Sequence, residues 1–311
     1  MTNFEESNPC DVEIGKLVNV LEKDFRNIKE KDLKFTYHGT FNVFEIRKKI
    51  LRVPDKDLRN HKGSQIIQNE TVKLKNLAKL ISIPIPKPEN VSLNDNMPYV
   101  IYQKLPGVSL STIFHTLNDQ KKKRVAEGIA EFLNQLHAPQ VLHTVHSSIF
   151  HTKFTASDYK VYWENRFEEI KEKIFPLVNT SQKAWIYTIF SRFLRTSENF
   201  LFKPAITHCD FDTSNILVNP QKGILTGIID FEETKAWDPA ADLLFFEDST
   251  FQQQILDSYQ YADSPSLQNR MKFLYCRTFA PYITWGLDHQ KTSMVEYGLK
   301  RLVFLLERFP S

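Results

Sequence analysis

The first hundred residues of the chain alternate between apolar and polar positions in short runs, which is the pattern of half-buried strands. Three such runs follow one another closely, at 35–39, 41–46 and 49–54. Because so few residues separate them, the pattern predicts antiparallel strands joined by tight turns. A fourth apolar run, at 98–105, predicts one more strand.

Two helices and a proline-rich stretch complete this first part of the chain. Apolar residues recur at helical spacing in 12–25 and again in 69–81. Each proline of 82–90 disfavours helix at its own position and at the residue before it, so this stretch is predicted to be extended.

From residue 106 onward the pattern becomes mainly helical. The apolar residues of 121–138 form a single stripe at helical spacing. Further helical segments are predicted at 181–196, 238–248, 266–287 and 293–309. Pro281 predicts a break or kink in the third of these. Two short strands, at 215–219 and 226–230, interrupt the helices.

The sequence therefore predicts an α+β fold of two lobes joined near residues 103–107. The N-terminal lobe, residues 1–104, is expected to be a small antiparallel sheet with a helix. The C-terminal lobe, residues 105–311, is expected to be larger and mainly helical.

Charge and composition narrow the possible partners. The 311 residues include 40 Lys and Arg and 37 Asp and Glu, which gives a net charge of +3. A nucleic-acid-binding protein usually carries a strongly basic surface, so no nucleic-acid partner is expected. The one basic run, KKKR at 121–124, is read as the solvated face of a helix.

The cysteines and the N-terminal stretch indicate in which cellular compartment the protein is expected. Three widely separated cysteines suggest neither a disulfide framework nor a four-ligand zinc site. The polar, acidic N-terminal stretch is unlike a signal peptide, and no apolar run reaches the length of a membrane span. A cytoplasmic monomer without a membrane partner is expected.

The candidate chemistry lies in two neighbouring stretches, THCDFDTSNILV at 207–218 and GIIDFEE at 227–233. They could form a metal site, a thiol nucleophile at Cys209, or a catalytic loop for phosphoryl transfer. His208, Asp210 and Asp212 could share one face of an extended segment, but no further His or Cys follows at zinc-ligand spacing. A thiol nucleophile would need a His base, and the adjacent His208 points to the other side of an extended chain.

Phosphoryl transfer accounts for more of these residues. A kinase-type site uses an Asp to orient the attacking hydroxyl, an Asn five residues later, and a second Asp after a strand. Asp210, Asn215 and Asp230 have this spacing. Amide and carboxylate oxygens of Asn215 and Asp230 are the kind of ligand that Mg²⁺ prefers.

The segments HCDFDTSNILVN at 208–219 and GIIDFEETKAWDPAADL at 227–243 resemble the aminoglycoside phosphotransferase family, relatives of the protein kinases. The branch that the chain resembles most is the 2''-aminoglycoside phosphotransferases, with the macrolide phosphotransferases somewhat further away. The resemblance implies a two-lobed, protein-kinase-like fold. It also implies transfer of the γ-phosphoryl group of ATP or GTP to a hydroxyl of a small molecule, with Mg²⁺ as cofactor.

The resemblance assigns roles to residues of this chain. Asp210 is the expected catalytic base, and Asn215 and Asp230 are the expected Mg²⁺ ligands. Asp242 is expected to brace the catalytic loop, and His208 to hydrogen-bond the backbone near Asp230.

The nucleotide is expected to bind to residues of the first lobe and of the connection between the lobes. Asn42 lies in the loop over the nucleotide, Arg52 and Glu70 form an ion pair near the phosphates, and the backbone from Gln103 to Leu105 faces the base. The bulky Tyr102 is expected to limit the base pocket.

Substrate contacts are expected from the second lobe. An acidic set would attract a polycationic amino sugar, and two aromatic residues would stack on its rings. These residues are Asp212, Glu233, Glu247 and Asp248, with Tyr282 and Trp285. Helix-start carboxylates and core aromatics are the simpler interpretation of the same residues.

Two departures from the family pattern leave alternatives open. Arg52 stands where the family usually has a phosphate-binding Lys, and the loop over the phosphates has a single glycine, Gly39. The alternatives are a macrolide phosphotransferase, a metabolic sugar or amino-alcohol kinase of the same fold, and a catalytically weak nucleotide-binding protein.

Overall fold

The N-terminal part of the chain folds into a five-stranded antiparallel sheet in this computed structural model, which describes residues 12–55, 58–94, 96–149, 154–262 and 266–310. The strand order is β1-β2-β3-β5-β4. The strands are β1 (Lys34–His38), β2 (Phe41–Ile46), β3 (Lys49–Pro54), β4 (Pro88–Ser92) and β5 (Tyr99–Gln103). The predicted meander and the predicted fourth run are thus confirmed as strands of one sheet.

Two helices accompany this sheet, α1 (Ile14–Leu21) and α2 (His61–Leu77). Leu51 and Val53 of β3 point into a core shared with α1, whereas Arg52 between them points to the opposite face. Helix α2 begins eight residues before the predicted start because Asn60 caps it, accepting a hydrogen bond from the Lys62 amide at 2.8 Å.

The remainder of the described chain is mainly helical. Its α-helices are α3 (Leu110–Ile113), α4 (Asp119–Leu136), α5 (Pro139–Ile149), α6 (Ala156–Lys173), α7 (Thr180–Arg195), α8 (Ser249–Ser258), α9 (Leu267–Cys276), α10 (Phe279–Asp288) and α11 (Thr292–Arg308). The two-lobed α+β fold is confirmed, with the sheet in one lobe and these helices in the other.

Short strands enter the helical lobe where the candidate chemistry lies. They are β6 (Val108–Ser109), β7 (Ala205–Thr207), β8 (Ile216–Asn219), β9 (Ile224–Ile228) and β10 (Lys235–Trp237). Strands β8 and β9 form an antiparallel hairpin bordered by β6, and β7 pairs with β10. The predicted strand pair around residues 215–230 is therefore a hairpin.

Two helical predictions need correction. The segment 238–248 is a 3₁₀ turn at Pro239–Asp242 followed by irregular chain, because the Asp238 and Asp242 side chains bind backbone amides and hold this chain in a non-helical path. The segment 266–287 is two helices separated at Arg277 and Thr278. Pro281 lies in the first turn of α10, where its missing N–H leaves no helical hydrogen bond unmade, so it does not cause the break.

A buried ion pair anchors the turn after β10. Asp238 and Arg270 are almost fully buried, with Arg270 Nε 2.9 Å from Asp238 Oδ2. The Tyr159 hydroxyl donates to the same carboxylate at 2.9 Å, and the Ala240 amide donates at 3.0 Å. Burial raises the pKa of Asp238 from its ordinary value, and Arg270 opposes that change. The carboxylate thus depends on Arg270 to remain ionised in the core.

Replacing Arg270 with Ala should destabilise the protein by about 3–5 kcal/mol, because the change leaves the Asp238 carboxylate buried and without its counter-ion. The free energy of unfolding from urea denaturation measures the effect. Lys16→Ala, which removes the exposed pair with Glu13, is the control and should leave the urea midpoint unchanged. Equal midpoints for both variants would contradict a structural role for the buried pair.

Candidate active site

The loop between β7 and β8 carries the catalytic-loop motif, and Asp242 fixes its backbone. The Asp242 carboxylate accepts hydrogen bonds from the amides of His208 at 2.7 Å and Cys209 at 2.9 Å. It also lies 3.1 Å from Nε2 of buried His137. Cys209 has a positive φ of 68°, which is uncommon for a non-glycine residue. The predicted bracing by Asp242 is therefore present, and it holds the residue before Asp210 in an unfavourable backbone conformation.

Asp210 is held against Asn215. The Asn215 amide nitrogen donates to the backbone oxygen of Asp210 at 2.9 Å and to its Oδ2 at 3.1 Å. Burial, with smaller contributions from the nearby carboxylates of Asp212 and Asp230, raises the pKa of Asp210 to about 6. Asp210 is thus a partly desolvated carboxylate that titrates within reach of neutral pH.

The hairpin brings Asp230 beside Asn215, as the sequence predicts. Ile216 pairs with Ile228 in the ladder, and the Ile229 amide donates to the Asn215 carbonyl at 3.0 Å. His208 Nε2 lies 3.0 Å from the Ile229 carbonyl, as expected for a hydrogen bond to the backbone near Asp230. Asp230 has a φ of 68°, so the chain turns sharply at this residue.

Asn215 and Asp230 fit the requirements of a magnesium site. The Asn215 amide nitrogen donates to Asp210, so the side-chain oxygen of Asn215 points away from Asp210. Asp230 uses Oδ1 for Arg52 and keeps part of its side chain open to solvent. One amide oxygen and one carboxylate are hard ligands, and Mg²⁺ commonly takes only one or two of these beside water and phosphate.

Arg52 connects the sheet, helix α2 and the end of the hairpin. Its Nη1 lies 2.7 Å from Glu70 Oε1, and its Nη2 lies 3.1 Å from both Asp230 Oδ1 and Glu232 Oε2. The guanidinium carbon is 4.2 Å from the ring centre of Phe41. The predicted Arg52–Glu70 ion pair is thus present, and it extends to the predicted metal-binding Asp.

Three residues of this network were missing from the sequence prediction or only partly described by it. Tyr102 was expected to limit the base pocket, and its hydroxyl also donates to Glu70 Oε2 at 2.9 Å. Lys73 donates to the Glu232 carbonyl at 2.7 Å. Burial raises the pKa of Glu232 to about 7, although Arg52 acts in the opposite direction. The position of Glu232, two residues after Asp230, was the only sequence signal for it.

Gln103 and Leu105 border a cavity of about 220 Å³ at the junction of the lobes. Its other walls come from the extended stretch 81–87 and from Ala78. Asn42 lies elsewhere: Val43 pairs with Arg52, so the buried side chain of Asn42 points to the face of the sheet away from Arg52. Its assignment to the nucleotide stays a prediction.

The acidic residues of the helical lobe differ in what they already bind. Asp212 Oδ1 accepts from the Ser214 amide at 2.6 Å, and Glu233 is exposed. Glu247 accepts from the Tyr275 hydroxyl at 2.6 Å but is 61% exposed. Asp248 caps α8, accepting from the Phe251 amide at 2.9 Å, and that bond lowers its pKa. Asp248 is therefore a helix-start carboxylate, which is the simpler interpretation that the sequence left open for this acidic set.

The two predicted aromatic contacts lie on α10. Burial raises the pKa of Tyr282 to about 12, with smaller contributions from Tyr297, Asp212 and Asp210, so Tyr282 lies near the catalytic-loop carboxylates. Trp285 is exposed and stacks on His289, with ring centres 4.2 Å apart. Tyr282 is the better placed of the two beside Asp210.

The competing interpretations of the motif find no support. Burial raises the pKa of the Cys209 thiol far above its ordinary value, so the thiol stays protonated and is a poor nucleophile. Within the described ranges, no group of three or more His, Cys, Asp and Glu side chains could hold a metal.

The described helices also include none long and apolar enough to cross a membrane.

Known structures share this fold over almost the whole chain. The GDP complex of aminoglycoside 2'-phosphotransferase-IIIa aligns with a TM-score of 0.83 at 20% identity, covering 96% of this chain and 100% of that one. The GDP and kanamycin complex of APH(2")-IIIa aligns with a TM-score of 0.83 at 22% identity, covering 94% and 99%. Macrolide 2'-phosphotransferase type I aligns with a TM-score of 0.71 at 17% identity, covering 93% and 96%. At these identities the alignments establish a common fold.

The family match comes from the sequence itself. Residues 45–274 match the family described as phosphotransferase enzyme family (APH). The matched range includes Arg52, Glu70, the whole catalytic loop and Asp230, which are the residues assembled in the site. The chain therefore belongs to this family of phosphotransferase enzymes, which confirms the resemblance seen in its catalytic-loop motif.

Proposed function

We propose that this protein transfers the γ-phosphoryl group of ATP or GTP to a hydroxyl of an aminoglycoside or a related amino sugar. The observation that carries the proposal is the convergence of Asp210, Asn215 and Asp230 at one end of the β8–β9 hairpin. Kinase-type phosphoryl transfer uses such a set of one Asp to orient the acceptor hydroxyl and an Asn and a second Asp to hold the metal.

Asp210 positions the acceptor hydroxyl and accepts its proton as the new bond forms. The hydrogen bond from Asn215 fixes one carboxylate oxygen, Oδ2, and leaves the other available to the hydroxyl. In a loose transition state the proton moves late, so positioning contributes as much as basicity.

The phosphates are held from the sheet side. Asn215 and Asp230 would hold Mg²⁺, which neutralises charge on the phosphates when bound. Arg52, oriented by Glu70, supplies a second positive charge with a planar donor fork. The purine base of the nucleotide lies in the cavity beside Gln103 and Leu105. This cavity separates a nucleotide-binding lobe, residues 1–104, from an acceptor-binding lobe, residues 105–311.

The acceptor lies on the side of Asp210 that faces the helical lobe. Asp212, Glu233 and Glu247 give this side negative charge, and Tyr282 offers an aromatic surface. Complexes of structural neighbours with kanamycin and with gentamicin favour a cationic amino sugar. Asp248 adds charge at the edge while capping α8, and Trp285 adds an exposed ring.

A macrolide is the second candidate acceptor, because the macrolide 2'-phosphotransferase shares the fold over 93% of the chain. A metabolic sugar or amino alcohol has no specific contact in its favour. A catalytically weak nucleotide-binding protein is disfavoured by the ordered Asp210–Asn215 pair, because such a protein has no need of an oriented acceptor base.

Replacing Asp210 with Asn should lower kcat by roughly 10²–10⁴-fold, because the change keeps the size of the side chain but removes its charge. Nucleotide affinity should be almost unchanged, since Asp210 faces the acceptor. Cys209→Ala is the matched control, one residue away, and should retain nearly full activity. Full activity in the Asp210 variant together with loss in the Cys209 variant would exclude this mechanism.

Replacing Arg52 with Met should weaken nucleotide binding by about 10–100-fold, the range expected when a hydrogen bond between charged groups is lost. The loss also leaves Glu70, Asp230 and Glu232 as uncompensated negative charge beside the phosphates. Isothermal titration with ATP and GTP measures the effect. The nucleotide affinity of Arg52→Lys should lie between those of the wild type and Arg52→Met, since Lys keeps the charge but not the planar donor fork. Unchanged affinity in the Met variant would remove Arg52 from the nucleotide site.

Replacing Glu247 with Gln should raise KM for kanamycin by about 2–5-fold with little change in kcat, as expected when an exposed charge contact is lost from ground state and transition state alike. Glu168→Gln, an exposed glutamate on α6, is the control and should leave KM unchanged. An unaltered KM in the Glu247 variant for every amino sugar tested would favour the macrolide.

A further inference from the structure

Lys73 on α2 reaches from the sheet lobe to the segment that follows Asp230. Its Nζ atom donates to the backbone carbonyl of Glu232 at 2.7 Å, and the residue is only 8% exposed. Glu70 lies one helical turn earlier on the same face of α2 and reaches the same segment through Arg52. Helix α2 thus contacts this segment twice, once through side chains and once through a backbone oxygen.

The segment 230–234 leads the chain from β9 to β10 through a turn. The Thr234 amide donates to the Phe231 carbonyl at 3.2 Å, which closes the turn. The side chain of Phe231 is fully buried in the helical lobe, with its ring centre 4.7 Å from that of His208. Glu232, the next residue, accepts the hydrogen bond from α2. The turn is therefore fixed from both lobes.

Asp230 depends on such support because its backbone has a φ of 68°. A residue other than glycine keeps a conformation of this kind only where its surroundings impose it. The bond from Arg52 to Asp230 Oδ1, at 3.1 Å, fixes the side chain but not the backbone. Lys73 acts two residues further on, where it fixes the backbone itself.

A buried lysine is unfavourable for stability, so packing alone would favour an apolar side chain at this position. Burial lowers the pKa of Lys73 from its ordinary value, although the Glu70 carboxylate acts in the opposite direction. Methionine has nearly the same length and no charge, but it cannot donate a hydrogen bond to a carbonyl. The bond to Glu232 is therefore the contribution that a donor alone can make here.

We propose that Lys73 is a positioning residue for the magnesium site. Its bond to the Glu232 carbonyl holds the turn after Asp230, and the turn holds the Asp230 carboxylate toward the nucleotide phosphates. The inference rests on the proposed function, in which Asp230 is a ligand of Mg²⁺. Residues that orient a metal ligand in this way affect metal binding although they do not touch the metal. Because α2 belongs to the sheet lobe, the same bond makes the site depend on how the two lobes are placed.

Binding of the imidodiphosphate analogues of ATP and GTP, which are not turned over, tests this role by isothermal titration in Mg²⁺ and in EDTA. The wild type should bind its preferred analogue more tightly in Mg²⁺. Lys73→Met should lose most of that increase in affinity, a factor of about 10–100. Its affinity in EDTA should equal that of the wild type, because Lys73 acts through the metal site.

Lys75→Met is the matched control, since Lys75 is exposed on the same helix. This variant should keep the wild-type response to Mg²⁺. Lys73→Arg keeps a cationic donor and should recover part of the response that Lys73→Met loses, which a space-filling role would not predict. Lys73→Gln, whose amide nitrogen is one bond short of the Glu232 carbonyl, replaces Lys73→Met if that variant does not fold.

Amide hydrogen exchange of the ligand-free protein gives a second measurement that does not involve the metal. Exchange in 230–234 should be faster in Lys73→Met than in the wild type and in Lys75→Met. The melting temperature of Lys73→Met should change by less than about 3 °C, because an unfavourably buried charge is removed together with one hydrogen bond. Faster exchange throughout α2 and the sheet, with a large fall in melting temperature, would instead make Lys73 a residue of general stability.

The titrations separate a failure of this inference from a failure of the proposed function. If the wild type binds both analogues equally in Mg²⁺ and in EDTA, the proposed function is overturned, and the role of Lys73 with it. If the wild type responds to Mg²⁺ and Lys73→Met responds equally, only the role of Lys73 is overturned.

Discussion

One guanidinium, that of Arg52, fixes the geometry on which the rest of the site depends. It bonds Glu70 on α2 and Asp230 at the end of the hairpin simultaneously, so the sheet lobe and the end of the hairpin in the helical lobe share one set of charges. Because Glu232 and Tyr102 extend the same network, moving any member changes the charge felt by Asp230. Arginine suits this position since its fork can bind several carboxylates, which a lysine ammonium does less well.

A second constraint on the position of the catalytic loop comes from two aspartates that follow it in the chain. Asp242 binds two successive backbone amides of the loop, and Asp238, four residues earlier, is anchored in the core by Arg270. The segment between these two aspartates forms only a 3₁₀ turn, because Asp242 is held against the amides of His208 and Cys209, so the helical periodicity of 238–248 was misleading. Structural carboxylates at this turn therefore hold Asp210 in place, at the expense of regular secondary structure.

Local patterns predicted the strands and the motif because both depend on neighbouring residues. The runs 41–46 and 49–54 became β2 and β3 with the predicted bounds, and the spacing of Asp210, Asn215 and Asp230 determined their meeting at the hairpin. The part of the site that sequence could not predict consists of long-range pairings. Glu232 joins Arg52 across 180 positions, a contact that no periodicity records. The capping role of Asp248 likewise appears only once the start of α8 is known.

The charges around the catalytic loop are separated rather than mixed, and this separation constrains the acceptor. Asp212 gives the catalytic loop negative charge beside Asp210, whereas Arg166 and Lys235 give the region beside β7 and β10 positive charge. A purely cationic acceptor is attracted by the first region and repelled by the second. Under the proposed function, an amino sugar would therefore approach Asp210 from the first region, away from strands β7 and β10.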